Sequence, residues 1–305
     1  MNKTLKTISI IFTAVFIFTA CDRFEGNVSV PSFLRIEAMN VEDNPSDSWS
    51  LENGFFTSEI DAVNVVIWVS GDTAETNLGT FQLPCDIPVL RNGKIDRILI
   101  NPVVKQDGIA GKRINYPYYE SVTLTDVILA EQDTTNLGTI ATKYVSKSRM
   151  KVLWQEFFEP GPNSFSLDSV VMPFTSLDSV RSGYGSGVVH IRADQSSVSF
   201  WSDTTYRISD PSAIVYIEMD YWSDIDFSVG LYNPIYEGGA NVLKSHMTIY
   251  GKPEKGWQKI YINIGSLWSK TYSHYPNIRP YFTVLNDKGK EGNLYLDNIK
   301  LVVLD

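Results

Sequence analysis

Cysteine is nearly absent: the 305 residues contain two, Cys21 and Cys85. Cys21 closes an apolar N-terminal segment, and with that thiol committed to lipid Cys85 has no partner, so no intrachain disulfide can brace the fold. Cys85 lies between Pro84 and Pro88 and reads as a small buried apolar side chain. Histidine is as scarce. His190, His246 and His274 stand alone, with no Cys, Asp, Glu or His at metal-ligand spacing and no HExxH pattern. Positive charge is also lacking. The formal charge is −9, and loss of residues 1–20, which carry Lys3 and Lys6, takes it to −11. That balance excludes nucleic acid, whose binding needs clustered Lys and Arg, and electrostatic docking on anionic lipid. No stretch after residue 21 repeats apolar residues at helical spacing over three turns, so long amphipathic helices are excluded. No GxSxG elbow occurs. The glycine-rich Ser182–Gly187 lacks the Lys and the following helix of a phosphate loop and reads as a turn.

The N-terminus is where the chain says most. Lys3 and Lys6 precede an apolar run from Ile8 to Phe18, and Thr19-Ala20-Cys21 closes it. The run is shorter than the ~20 residues that span a bilayer, and its order is that of an export signal. Phe18-Thr19-Ala20-Cys21 resembles the bacterial lipobox, with Phe18 where Leu is usual. The resemblance implies cleavage before Cys21 and acylation of its thiol. Residues 1–20 are then signal peptide and 21–30 a polar tether.

From Pro31 onward, β-branched and aromatic residues crowd short segments separated by Gly, Pro, Asn, Asp and Ser, which predicts an all-β protein. The length favours two domains. The reading is an N-terminal β-sandwich over residues 31–145 and a second antiparallel sandwich over 146–305. Ala62–Ser70 is a strong strand, joined to Leu78–Leu83 through a hairpin loop. Asp107-Gly108 predicts a tight turn with positive φ. Short helical turns are allowed around Ile264–Lys270. Among the carboxylates of the second half, Glu156, Glu159, Asp168, Glu218, Asp220, Asp224 and Asp226, no spacing by itself makes an acid–base pair, and they read as solvated turn and strand-edge residues. No catalysis is expected.

Phe157-Phe158-Glu159-Pro160-Gly161, the glycine-rich turn at 183–192, Gly256-Trp257-Gln258-Lys259-Ile260-Tyr261 and Leu294-Tyr295-Leu296-Asp297-Asn298-Ile299-Lys300-Leu301 resemble the jelly-roll carbohydrate-binding modules. The resemblance covers Leu153 to Asp305 and implies a galactose-binding-like jelly roll. It also implies a structural calcium held by Glu159 and Asp297. Sugar binding needs exposed rings to stack on the apolar C–H face of a pyranose. Trp222, Tyr232, Tyr236, Trp268, Tyr272 and Tyr275, in or beside loops, are the candidates, while Trp201 and Trp257 fit strands and are expected in the core. Gly79-Thr80-Phe81-Gln82-Leu83-Pro84, Ile87-Pro88-Val89-Leu90, Gln106-Asp107-Gly108-Ile109 and Tyr116-Pro117-Tyr118-Tyr119 resemble an uncharacterised group of Bacteroidota outer-membrane lipoproteins. There Tyr116, Tyr118 and Tyr119 read as an exposed recognition loop, with a packed proline corner as the alternative. The leading expectation is a non-catalytic, lipid-anchored binding or scaffold subunit of an envelope protein assembly (barrel assembly, secretion or nutrient uptake). Polysaccharide capture is the alternative, and a glycan hydrolase the third.

Overall fold

The structure is a computed structural model that describes residues 30–304 except 46, 50–53, 91–92, 167–170, 175–179, 209, 234–241, 272–276 and 288. Cys21 lies outside the described residues. The first ten strands are β1 (Ser32–Ile36), β2 (Ala38–Glu42), β3 (Ala62–Trp68), β4 (Thr76–Gln82), β5 (Cys85–Val89), β6 (Gly93–Lys105), β7 (Arg113–Asn115), β8 (Val122–Leu129), β9 (Thr134–Asn136) and β10 (Thr139–Lys143). Eleven more follow: β11 (Met150–Glu156), β12 (Met172–Phe174), β13 (Ser186–Ile191), β14 (Ser197–Trp201), β15 (Tyr206–Arg207), β16 (Ile214–Ser223), β17 (Asp226–Asn233), β18 (Val242–Ile249), β19 (Gln258–Asn263), β20 (Asn277–Leu285) and β21 (Gly292–Leu304). The single α-helix among the described residues, α1 (Gly265–Thr271), falls where the sequence allows a short one.

In the first domain β4-β3-β6-β7, with β8 also on β6, forms the large sheet. Opposite it lie β5-β1-β9 and the pair β10-β2. Pairing is antiparallel except for β1 with β9 and β2 with β10, which run parallel. The β6–β7 turn has Asp107 at φ 57° and Gly108 at φ 69°, the positive angles expected of an Asp-Gly hairpin. The second domain is a jelly roll of two antiparallel sheets. One has the order β12-β13-β21-β16-β19, with β11 on β21; the other is β14-β20-β17-β18, with β15 on β20. Between them lies an apolar core that includes Phe200, Phe227, Phe282, Ile217 and Leu301.

Strand alternation explains both faces of β16. Val215, Ile217, Met219 and Tyr221 enter the jelly-roll core, and Tyr216, Glu218 and Asp220 therefore point the other way. β21 matches it until a bulge at Asp297–Asn298, where Asn298 takes φ 51°. The extra residue shifts the inward set from Leu294 and Leu296 to Ile299, Leu301 and Val303, so Lys300 and Val302 face outward.

That outward face is covered by the first domain. The apolar core of the first domain runs on without a break into Tyr216, Tyr261, Val302 and Phe157 of the second. Tyr116 sits 5.3 Å from Tyr216 and 4.8 Å from Tyr261, ring centre to ring centre. The Tyr118 hydroxyl donates to the carbonyls of Ile214 (2.6 Å) and Val302 (3.1 Å). Tyr116, Tyr118 and Tyr119 are thus buried at the domain junction rather than displayed as a recognition loop. The packed corner wins because their rings fill the space above Tyr216 and Tyr261, and every phenol finds a partner there.

Charge is buried at the same junction. Lys300 Nζ lies 2.9 Å from Glu218 Oε2, both side chains fully shielded. Lys300 also donates to the Phe55 carbonyl (2.6 Å) and stands 4.5 Å from the Phe55 ring centre. Glu218 accepts from the Tyr116 hydroxyl (2.7 Å) and the Tyr144 hydroxyl (2.6 Å). Beside this pair, Asp220 accepts from Thr57 (2.6 Å) and Asn298 (2.8 Å), with Lys259 Nζ at 3.6 Å. Glu218 and Asp220 are therefore not the solvated strand-edge carboxylates expected from the sequence. Burial alone would raise the Glu218 carboxyl, but Lys300 and Lys259 outweigh it and hold it below its usual range.

Removing one member of a buried pair leaves an uncompensated charge. Lys300→Met is expected to cost about 3–5 kcal/mol, while the double variant Glu218→Leu/Lys300→Met recovers much of it. Urea denaturation checks this; a single variant as stable as the parent would contradict it.

Candidate functional site

The sheet β14-β20-β17-β18 turns its other face away from the jelly-roll core, and its β18 edge meets the first domain, with His246 Nε2 3.8 Å from Asp107 Oδ1. Its side chains fall in rows set by strand register. Ser199, Thr283, Ser228 and Thr248 form one row across four strands. Ser199 and Thr283 hydroxyls are 3.0 Å apart, as are those of Ser228 and Thr248. The next row is Trp201, Tyr281, Gly230 and Ser245. Gly230 leaves a gap in it between Tyr281 and Ser245. Tyr232 follows on β17, its ring 4.8 Å from Trp201 and tilted by 39°. The Tyr281 hydroxyl is bonded to Thr283 and lies 3.3 Å from Ser199. The centre of the face, Thr283, Ser228, Tyr281 and Tyr232, is buried, whereas Trp201 and Ser199 on one side are half-buried and Thr248 and Ser245 on the other are exposed.

Such a face combines flat apolar rings with paired hydroxyls that both donate and accept. The groups open enough to meet a ligand are Trp201 and Ser199 at one edge and Thr248 and Ser245 at the other. The two rows carry no carboxylate, so they hold no acid–base pair.

The sequence candidates scatter. Tyr232 lies on this face. Trp201, expected in the core, lies there too, because strand alternation gives the core position to its neighbour Phe200. Trp257 is half-buried outside the core, with its indole N–H shielded and unpaired. Trp268 is fully buried instead of loop-exposed: α1 tucks its indole into the jelly-roll core, where Nε1 donates to the Asp210 carbonyl at 3.2 Å. Trp222 is on the opposite sheet, half-buried, stacked 5.2 Å from Tyr295 with Nε1 bonded to the Pro253 carbonyl. Tyr236, Tyr272 and Tyr275 lie outside the described residues. The hydroxyl rows escape sequence reading because their members are ordinary strand serines and threonines that only register brings together.

A calcium at Glu159 and Asp297 has poor support in the donor set. Glu159 Oε1 is buried without a hydrogen-bond partner, an oxygen free for a cation. Asp297 instead faces donors: the Ser182 N–H (3.2 Å), the Ser186 hydroxyl (3.0 Å) and the Asn298 N–H (2.8 Å). A calcium needs about six to eight oxygen lone pairs, and among the described residues no three His, Cys, Asp or Glu side chains converge. The residues at Asp297 do not fit the ion.

No family model and no curated protein matches the chain. Among solved structures it is similar to carbohydrate-binding modules. The CBM22-1 xylan-binding domain from Paenibacillus barcinonensis Xyn10C is 15% identical, covering 52% of this chain and 97% of that one, with a TM-score of 0.36. The family 30 module of a cellulosomal cellulase of Clostridium thermocellum is 15% identical, covering 49% and 91%, with a TM-score of 0.34. A CBM61 module in complex with beta-1,4-galactotriose is 14% identical, covering 50% and 86%, with a TM-score of 0.28. Scores at this level carry no ligand across to this chain, and the jelly roll stands on its own strand order.

Burial pushes the Asp297 carboxyl up to about 7, against the pull of the Ser186 hydroxyl. The unfolded group ionises near 3.8 while the folded one keeps its proton, so this residue's contribution to stability is lost as pH rises from 3.8 towards 7. Asp297→Asn is expected to remove that slope, with the variant gaining on the parent across the window in a pH series of thermal melts. Parallel curves would contradict it.

Proposed function

We propose that the protein is a lipid-anchored, non-catalytic glycan-binding protein of the bacterial outer membrane, holding sugar on the outer face of β14-β20-β17-β18. The observation that carries this reading is the half-buried Trp201 ring, backed by the buried Tyr232 at 4.8 Å and flanked by the half-buried Ser199 hydroxyl. An aromatic ring excludes water from the C–H face of a pyranose, and the flanking hydroxyls replace the water that its own hydroxyls lose. Polysaccharide capture takes precedence over the envelope-assembly reading, one of whose two aromatic-rich loop sets, Tyr116–Tyr119, is buried within the protein. The solved modules named above, one xylan-binding and one bound to galactotriose, supply the first polysaccharides to try. Anchoring rests on the lipobox-like segment ending at Cys21, and the acidic balance of the chain suits a soluble domain held at a membrane by lipid alone.

Affinity electrophoresis in gels containing xylan or β-1,4-galactan tests the binding. Retardation is expected for the parent, weakened roughly tenfold by Trp201→Ala, which removes a half-buried ring and not a core one. Equal retardation of parent and variant would contradict the site. For the anchor, Cys21→Ser is expected to move the protein from the membrane to the soluble fraction, and an unchanged membrane fraction would count against lipidation.

A further inference from the structure

The outward face of β14-β20-β17-β18 continues past Trp201 into a third row, where Tyr232 on β17 pairs with Arg279 on β20. Ile278 and Phe282 take the core side of β20, so Arg279 shares the outward side with Tyr281 and Thr283. Arg279 is half-buried, and its Nε donates to the Thr205 hydroxyl at 3.1 Å. It stands directly across from Tyr232, the ring that packs against Trp201 at 4.8 Å.

The guanidinium has no counter-charge. Arg35, Arg97, Arg113, Arg181 and Arg192 each stand beside a carboxylate. Among the described residues no carboxylate pairs with Arg279. Its Nη1 and Nη2 have no hydrogen-bond partner there either, and neither is shielded, so both open to solvent. The other charges on this side of the sheet do not cancel it. Arg207, exposed and paired with Asn277 one row further on, adds to it. Asp203 is exposed on the loop after β14 and forms no ion pair with it. Asp226 begins β17, ~20 Å along the strand from Tyr232, and accepts from the Gly251 N–H at 2.9 Å.

A half-buried cation loses hydration without compensation unless an anion reaches it. A sugar hydroxyl can accept a bond from the guanidinium but leaves its charge unmatched. A carboxylate meets the planar fork with two parallel N–H···O bonds and cancels the charge. A uronic acid brings an apolar C–H face for Trp201 and a carboxylate for Arg279, on one ring or on adjacent rings. The net charge of −9 repels a dense polyanion at long range, so uronates spaced along a neutral chain fit better than a continuous polyuronate. Resting on the sheet-face reading of the glycan site, we propose that this site takes a uronic-acid residue of an otherwise neutral polysaccharide, with Arg279 binding the carboxylate beside Trp201.

The test is affinity electrophoresis of the full protein in gels holding glucuronoxylan or pectic galactan, each native and after reduction of its uronate carboxyls to primary alcohols. The parent is expected to bind the native form roughly fivefold more tightly than the reduced one, with the advantage shrinking as salt rises. Arg279→Gln, whose amide can keep the Thr205 bond, is expected to bring the two forms level. Arg279→Lys, which keeps the charge, is expected to restore part of the gap, with melting temperatures showing that both variants fold. The comparison of native and reduced forms needs only the parent, so it decides even where a variant does not fold. Equal retardation of the parent by the two forms, with Trp201→Ala still weakening both, overturns the uronate and leaves the sheet face standing. An advantage for the native form that persists in Arg279→Gln does the same. Retardation by neither form, or indifference to Trp201→Ala, overturns the sheet face and the uronate with it.

Discussion

The buried Glu218–Lys300 pair is the constraint around which the two domains are arranged. Neither charge can sit in that interior without the other, and neither is complete without groups from the first domain: the hydroxyls of Tyr116 and Tyr144, the carbonyl of Phe55 and the faces of two aromatic rings. Glu218 and Lys300 both lie on strands of the second domain, so that domain alone would expose an ion pair on a half-apolar sheet. Docking of the first domain converts it into a fully bonded network, and every group is used.

That docking has consequences at both ends of the molecule. It covers one face of the jelly roll with tyrosines, which takes the Tyr116–Tyr119 loop out of any role as an exposed surface. It meets the second sheet at its β18 edge, through His246 and Asp107, and Trp201 lies on β14 at the other edge. It also leaves a groove between the domains, lined by Asp61 of the first and Tyr250 of the second.

The fold class was legible because strand periodicity and turn chemistry are local: Ala62–Ser70 and the Asp107-Gly108 turn follow from neighbouring residues alone. The site was less so. Phe200 and Trp201 are adjacent, and only the phase of the strand decides which enters the core. Trp268 looked like a loop aromatic because its helix is too short to show a helical apolar pattern. Glu218, Asp220 and Lys300 looked solvated because alternation marks a polar face without saying that another domain will cover it. A hint was present in β16, where Tyr216, Glu218 and Asp220 share one face: an aromatic among the charges on the outward side of an otherwise apolar strand. The Ser199–Thr283–Ser228–Thr248 row had no signature at all, since its four members are separated by long stretches of chain and meet only through register.

If the buried pair ties both domains into one body, they should melt together. Differential scanning calorimetry of the chain from residue 22 onward measures this directly: the account predicts a single transition whose calorimetric and van't Hoff enthalpies agree. Two resolved transitions, each carrying the enthalpy of one domain, would contradict it.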